Sequence, residues 1–321
     1  SNRVRNNEIF KIHKWCINYR VNRENKMQLV NKRIKGRKMS IPHDGGGIHP
    51  FLRNWTESSG AREPYFEKLL GEEVKPGMVV YEIGANVGYQ TLIILDGLKG
   101  VGKVNAFEPD TNNNPILREN MKNNGDGIVD IYDYAISNVN GEIDFHLAEH
   151  ASNLSSISKT KHSTKQINTM THSITHLVEE KGFDVPNFIK MDIEGAEAFV
   201  FDGMIDLIRY RDFDCKILFE THPNMYDECD IETPLRKMFE CGFKARYVVS
   251  ATVKRPKQFI DKGYEPILDS LHSDRALYEN VSDDDVIEFL KPHQKEYHKA
   301  KGKYGKIVRY IMLERSFNVD S

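Results

Sequence analysis

The chain has 321 residues, 39% of them hydrophobic and 29% charged, with a formal net charge of −2; this mix fits a globular protein with a sizeable core and argues against a nucleic-acid partner recruited by overall charge. No run of about 18 apolar residues is present to span a membrane, and no signal-peptide pattern stands at the start. The cysteines at 16, 215, 229 and 241 form no CxxC pair, so the expectation is free thiols in a reducing, cytoplasmic setting and no zinc site.

The charge is unevenly spread. The first 40 residues hold twelve Lys or Arg and two Glu, and the remainder carries a net −12. Residues 3–38 are expected to be helical, because Ile9, Ile12, Cys16 and Tyr19 fall at helical spacing with Arg and Lys around them. A basic arm ahead of an acidic body predicts contact with an anionic surface, such as a membrane that would hold the protein peripherally. Gly45-Gly46-Gly47 then breaks the chain. Residues 1–60 therefore read as a basic helical extension with a glycine-rich loop, and residues 61–321 as the main domain.

A short helix is expected over 60–75, followed by alternating strands and helices. Strands are predicted at 78–83, 103–107, 128–136, 187–191 and 213–220, with helices at 89–99, 111–123 and 173–181. A further strand at 142–147 follows Asn140-Gly141, a hairpin signal. Later strands are predicted at 245–250 and 307–313. The intervening stretch, 252–305, is too long for a structureless loop and is expected to hold helices and cover part of the site. Such alternation specifies a doubly wound α/β domain with a largely parallel sheet, which binds ligands beyond the carboxyl ends of its strands.

The first of these strands runs into Glu82-Ile83-Gly84-Ala85-Asn86-Val87-Gly88. Gly84 and Gly88 permit a sharp turn and close approach of a ligand to the backbone. Asn86 departs from GxGxxG, so a pyrophosphate cradle is not indicated. Glu108 lies 20 residues after Gly88, at the end of the second strand, where a carboxylate can accept both hydrogen bonds of a ribose diol. Together these features predict a nucleoside cofactor without a pyrophosphate.

The segments 81–89 (Tyr-Glu-Ile-Gly-Ala-Asn-Val-Gly-Tyr), 106–110 (Ala-Phe-Glu-Pro-Asp), 135–137 (Ala-Ile-Ser) and 189–197 (Ile-Lys-Met-Asp-Ile-Glu-Gly-Ala-Glu) resemble the FkbM-type methyltransferase family over roughly residues 62–222. The fourth segment is the most specific. The resemblance implies a class I methyltransferase fold, Rossmann-like with a seven-stranded sheet, and S-adenosylmethionine as cofactor. It further implies that Glu82, Gly84, Ala85, Asn86 and Gly88 hold its methionine end, that Glu108 and Pro109 lie at the ribose, and that the Ala135 backbone lies near the adenine. Thr171-His172-Ser173 departs from the Leu-Asp that many members carry, a change that Ser or Thr helix capping can absorb.

The chemistry the resemblance implies is O-methylation of a hydroxyl, often on a sugar or polyketide, and the expected acceptor here is a sugar of a glycan or glycolipid. A polyketide, lipid or other small hydroxylated metabolite is the alternative acceptor, and a cofactor-binding scaffold without catalysis is the alternative of another class. Methyl transfer needs the oxygen aligned, its proton removed and water excluded. Asp192, Glu194 and His222 at the ends of the fourth and fifth strands are the catalytic candidates, with Asp192 also placed at the cofactor. Glu197 reads as a carboxylate at a helix start, and Lys190 as a partner for one of these acids. His43, Asp44 and His49 show no known metal spacing, and no metal is expected. Trp55, Tyr65, Tyr247 and Tyr264 are candidates for stacking on a sugar. No nucleic-acid partner is expected, and a homo-oligomer is compatible with the sequence.

Overall fold

The computed structural model describes residues 28–43, 48–56, 58–125, 127–148, 155–157, 163–226, 230–291 and 306–317. The expected N-terminal helix is corrected where it can be seen. Residues 28–38 belong to a β-hairpin of strands β1 (Leu29–Ile34) and β2 (Arg37–Pro42), turning at Lys35-Gly36. Residues 3–27 lie outside the described residues. Ile34 and the run Met39–Pro42 are buried, while Arg33 and Lys38 are exposed; the helical spacing of Ile9, Ile12, Cys16 and Tyr19 lies outside the described residues and does not extend into this hairpin. No helix of the described residues is long and apolar enough to cross a membrane.

The elements that follow are α1 (Ile48–Asn54), α2 (Pro64–Glu73), β3 (Val79–Ile83), α3 (Tyr89–Leu98), β4 (Lys103–Phe107), α4 (Asn114–Asn124), β5 (Val129–Tyr132), β6 (Ala135–Ile136), β7 (Gly141–Leu147), β8 (Lys165–His172) and α5 (Ile174–Glu179). The chain continues through β9 (Phe188–Met191), α6 (Glu197–Asp202), α7 (Ile205–Tyr210), β10 (Cys215–Glu220), α8 (Glu232–Glu240), β11 (Lys244–Ser250), α9 (Lys257–Asp261), β12 (Leu277–Glu279), α10 (Asp283–Leu290) and β13 (Val308–Arg315). The main sheet has the order β12-β11-β13-β10-β9-β3-β4-β5. Its five strands from β10 to β5 are parallel, and β13, β11 and β12 join antiparallel. This is a class I methyltransferase-like sheet, with an eighth strand, β12, added at the edge by the 252–305 segment.

Successive strand residues feed two cores, as a doubly covered sheet requires. Tyr81, Phe107, Ile189 and Phe219 point to one face, under α5 to α8 and α10. Val80, Ala106, Phe188 and Leu218 point to the other, under α1 to α4 and the hairpin. Asn120 ties the hairpin down: its Nδ2 donates to Ser40 O (3.0 Å) and Val87 O (2.7 Å), and its Oδ1 accepts from Ser40 N (2.7 Å). One helical Asn thus connects the N-terminal hairpin to the glycine turn.

Two further expectations change. The strand predicted over 128–136 is two strands, because β5 ends the main sheet and β6 joins a separate three-stranded sheet of order β6-β8-β7. The Asn140-Gly141 hairpin does not form, since β8 lies between β6 and β7. Asn140 Oδ1 instead accepts from Ser173 N (2.9 Å). Ser173 in turn caps α5 by accepting from His176 N (3.1 Å), the helix-capping role anticipated for the Thr171-His172-Ser173 departure.

Candidate active site

The ends of β3, β4 and β9 open on one cavity of about 1230 Å³, continuous with solvent. At its base the chain turns three times through the left-handed region, at Gly84 (φ +78°), Asn86 (φ +52°) and Gly88 (φ +91°). A Cβ on Gly84 would lie 2.5 Å from Asp192 O, so this turn packs backbone to backbone on the end of β9. Asn86 is among the residues that tolerate this conformation, and its Oδ1 accepts from Val87 N (2.8 Å).

Glu108 braces the turn. Its Oε2 accepts from Asn86 N (2.6 Å) and its Oε1 from Asp110 N (3.0 Å). Burial, then the Asp110 carboxylate, raise its pKa to about 8 despite those hydrogen bonds. Glu82 is placed differently from expectation. It is fully buried beneath the turn, where Oε2 accepts from Thr91 Oγ1 (2.6 Å) and Lys190 Nζ stands 3.9 Å from Oε1. Lys190 donates to Gly84 O (2.7 Å). Glu82 thus supports the turn rather than lining the cavity, because its side chain points down between β3 and α3. Gly88 also sits behind the wall, against Met121 and Leu117. Gly84, Ala85, Asn86, Glu108, Pro109 and Ala135 do line the cavity, as do Asp192 and Glu194.

Asp192 and Glu194 stand on the turn between β9 and α6. Glu194 (φ +54°) and Gly195 (φ +99°) are both left-handed, and a Cβ on Gly195 would meet Met225 Cβ at 2.3 Å. That strained turn carries the Glu194 carboxylate toward His222. His222 Nε2 lies 3.5 Å from Glu194 Oε2, 3.9 Å from Asp192 Oδ1 and 3.6 Å from Glu220 Oε1, while Nδ1 lies 2.9 Å from Glu197 Oε1. His222 is itself set behind the two acids rather than on the cavity surface. Burial opposes its charge, but the Glu197 carboxylate, with Glu194 and Glu220, outweighs this and lifts its pKa to about 9. Burial raises Glu194 to about 7; His222 pulls down, and the neighbouring acids push up. Burial raises Asp192 as well, followed by Glu220. Burial acts the same way on Glu220, yet Lys306 and Arg309, each at 2.8 Å, hold it at about 2.

At and behind the cavity the structure adds to the sequence reading. Glu197 is fully buried and orients His222, more than a helix-start charge. Glu220, Arg309 and Tyr310 line the far wall, and Glu63 joins them through Arg309, Arg275 and the Tyr310 hydroxyl. Their signal was weak because they come from elements far apart in sequence. The proposed stacking aromatics are not at the cavity. Trp55 and Tyr65 are buried, and Tyr264 packs beside Phe259 and Phe289. Phe66, Tyr89, Tyr134, Phe145 and Tyr310 line the cavity instead. Among residues 252–291 none lines it; Leu268 O and Arg275 O accept from Tyr65 Oη, and Arg275 grips Glu63. Near the glycine turn, His49 is buried with Nε2 3.4 Å from Asn86 Oδ1, His43 is exposed, and Asp44 lies outside the described residues.

A largely parallel sheet whose first strand ends in a glycine turn, with an acid from the next strand gripping that turn and a cavity over both, is the class I methyltransferase fold. The chain belongs to the FkbM methyltransferase domain family, whose model matches residues 82–245. Hexuronic acid methyltransferase AglP of Haloferax volcanii is 31% identical over 159 residues, covering 48% of this chain and 60% of that protein. Among solved structures, methyltransferase FkbM of Methylobacillus flagellatus is 16% identical with a TM-score of 0.37, covering 64% of this chain and 44% of that one. M. jannaschii TYW2 in complex with AdoMet is 12% identical with a TM-score of 0.40, covering 91% and 89%. A Thermotoga maritima SAM-dependent O-methyltransferase is 13% identical with a TM-score of 0.40, covering 91% and 79%.

Proposed function

We propose that this protein methylates a hydroxyl of a sugar, in a glycan or glycolipid, using S-adenosylmethionine. The carrying observation is one cavity lined by both Gly84–Asn86 with Glu108 and by Asp192 with Glu194. In this reading Glu108 binds the ribose diol, Gly84, Ala85 and Asn86 hold the methionine end, and Pro109 and Ala135 lie along the nucleoside. Glu82 and Gly88 act on the cofactor only by shaping the turn. The acceptor oxygen attacks the sulfonium methyl in line. The C–O bond forms as the S–CH₃ bond breaks, its electron pair stays on sulfur, and the hydroxyl proton passes to the Asp192 and Glu194 carboxylates, behind which the charged His222 stands.

The sugar assignment draws on AglP, a hexuronic acid methyltransferase by name. It is supported by Arg62, which lines the cavity and makes no ion pair among the described residues; a guanidinium so placed suits a sugar carboxylate. The test is calorimetry with S-adenosylhomocysteine on the native chain and on Glu108→Ala, followed by labelled-methyl transfer to neutral and uronic-acid glycans. Binding lost in the variant and label on a glycan hydroxyl are expected. Label appearing only on apolar small hydroxyl compounds would replace the sugar by another acceptor, and cofactor binding without transfer to any acceptor would favour a scaffold.

A further inference from the structure

The His222 side chain is 10% exposed, and its two nitrogens are used unequally. Nδ1 is held at 2.9 Å by Glu197 Oε1, and the Glu197 side chain is fully buried. Nε2 makes no hydrogen bond among the described residues. Three carboxylate oxygens surround it, Glu194 Oε2 at 3.5 Å, Glu220 Oε1 at 3.6 Å and Asp192 Oδ1 at 3.9 Å, and the ligand atoms of Asp192, Glu194 and His222 all lie within 4.8 Å of one another. Such separations are long for hydrogen bonds. They are wider than the roughly 3 Å between adjacent donors of a six-coordinate cation at about 2.1 Å, so a bound cation would draw the three side chains inward.

The charges point the same way. Glu220 is already neutralised by Lys306 and Arg309, and Glu197 is engaged by Nδ1. Asp192 and Glu194 have no Lys or Arg within ion-pair distance among the described residues, so of the three carboxylates around Nε2 these two have the imidazole as their cationic neighbour at that range. A carboxylate fixing the far nitrogen of a histidine is also the arrangement that orients imidazole ligands toward metals.

We propose that Asp192, Glu194 and His222 Nε2 bind one divalent cation of the Mg²⁺ or Mn²⁺ class at the acceptor end of the cavity, the cation replacing the Nε2 proton, which is released to solvent, with Glu197 as a positioning residue for His222. Three protein donors, two of them oxygens, leave positions for acceptor hydroxyl oxygens or water. The assignment of these residues to the acceptor side rests on the methyltransferase reading; the cation site itself does not need an acceptor to be detected.

The experiment uses the full chain, stripped with a chelator, dialysed and saturated with S-adenosylhomocysteine. Mn²⁺ is titrated in, and bound metal is read from the loss of the free-ion electron paramagnetic resonance signal. One site per chain is expected, weakened at least about 10-fold in Glu194→Gln and in His222→Gln, and about 10-fold in Glu197→Gln. Affinity for S-adenosylhomocysteine, measured on each variant, shows that it is folded. Native chain that binds S-adenosylhomocysteine but no Mn²⁺ up to millimolar concentration would overturn the proposal, as would equal Mn²⁺ binding by a folded Glu194→Gln and His222→Gln. Failure to bind S-adenosylhomocysteine would count against the methyltransferase reading instead, and the Mn²⁺ result would still decide the cation site.

Discussion

Cofactor affinity should rise with pH through Glu108, and the size of the effect follows from the site. Its pKa stands near 8, because burial and Asp110 outweigh two backbone hydrogen bonds. A ribose diol donates two hydrogen bonds and is best met by the ionised carboxylate. A raised pKa means the carboxyl of the cofactor-free protein is protonated at pH 6, and binding must expel that proton. The ionised fraction grows from about 1% at pH 6 to about half at pH 8, so the association constant for S-adenosylhomocysteine should rise about 50-fold over that interval, roughly 2.3 kcal/mol. Above pH 8 the gain should shrink to about 2-fold. Isothermal titration calorimetry at each pH, in buffers of differing ionisation enthalpy, reads both the affinity and the released proton. Glu108→Gln should bind more weakly throughout and lose the slope, since its amide cannot ionise and its NH₂ must face the N–H of Asn86 or Asp110. An affinity flat from pH 6 to 8, or an equal slope in Glu108→Gln, would refute the reasoning.

Glu194→Gln should cut turnover by about 100-fold or more while changing S-adenosylhomocysteine affinity little, as steady-state kinetics beside calorimetry would show. Gly84→Ala should lower stability by about 2–4 kcal/mol in denaturant melts, because a left-handed residue gains a Cβ and that Cβ meets Asp192 O at 2.5 Å. Lys190→Met should cost about 3–5 kcal/mol by leaving Glu82 buried without its cation, and adding Glu82→Gln should restore part of it. Removing residues 1–38 should lower the melting temperature clearly, since it takes Ile34 away and uncovers Met39 and Ile41; each buried aliphatic is worth about 1.5–3 kcal/mol. Arg62→Ala should raise KM for uronic-acid acceptors more than for neutral ones, and equal shifts would remove Arg62 from acceptor recognition.

The parallel strands and their helices were legible because each is a local pattern: an apolar run ended by glycine, then an amphipathic stretch. Gly84, Glu108 and Asp192 were legible for the same reason, since each closes a strand in a short, distinctive segment. The N-terminal hairpin was not legible because the helical spacing of residues 9–19 was carried on to residue 38, over strands whose pairing Lys35-Gly36 sets. β8 was missed because Lys165–His172 is a mostly polar strand, whose partner strands are not recognisable from its own composition. Glu82 looked like a ligand contact because sequence places it beside Gly84, but the pleat sends its side chain away from the cavity to Lys190 and Thr91.

The residues that came from the sequence alone are those whose role depends on neighbours a few positions away, because turn geometry and strand ends are set by local backbone preferences. The pairing of His222 with Glu197, the neutralisation of Glu220 by Lys306 and Arg309, and the brace from Arg275 to Glu63 were decided only by the tertiary structure. Each joins elements between 25 and 212 residues apart, and charge interactions fall with distance in space, to which distance along the chain is no guide.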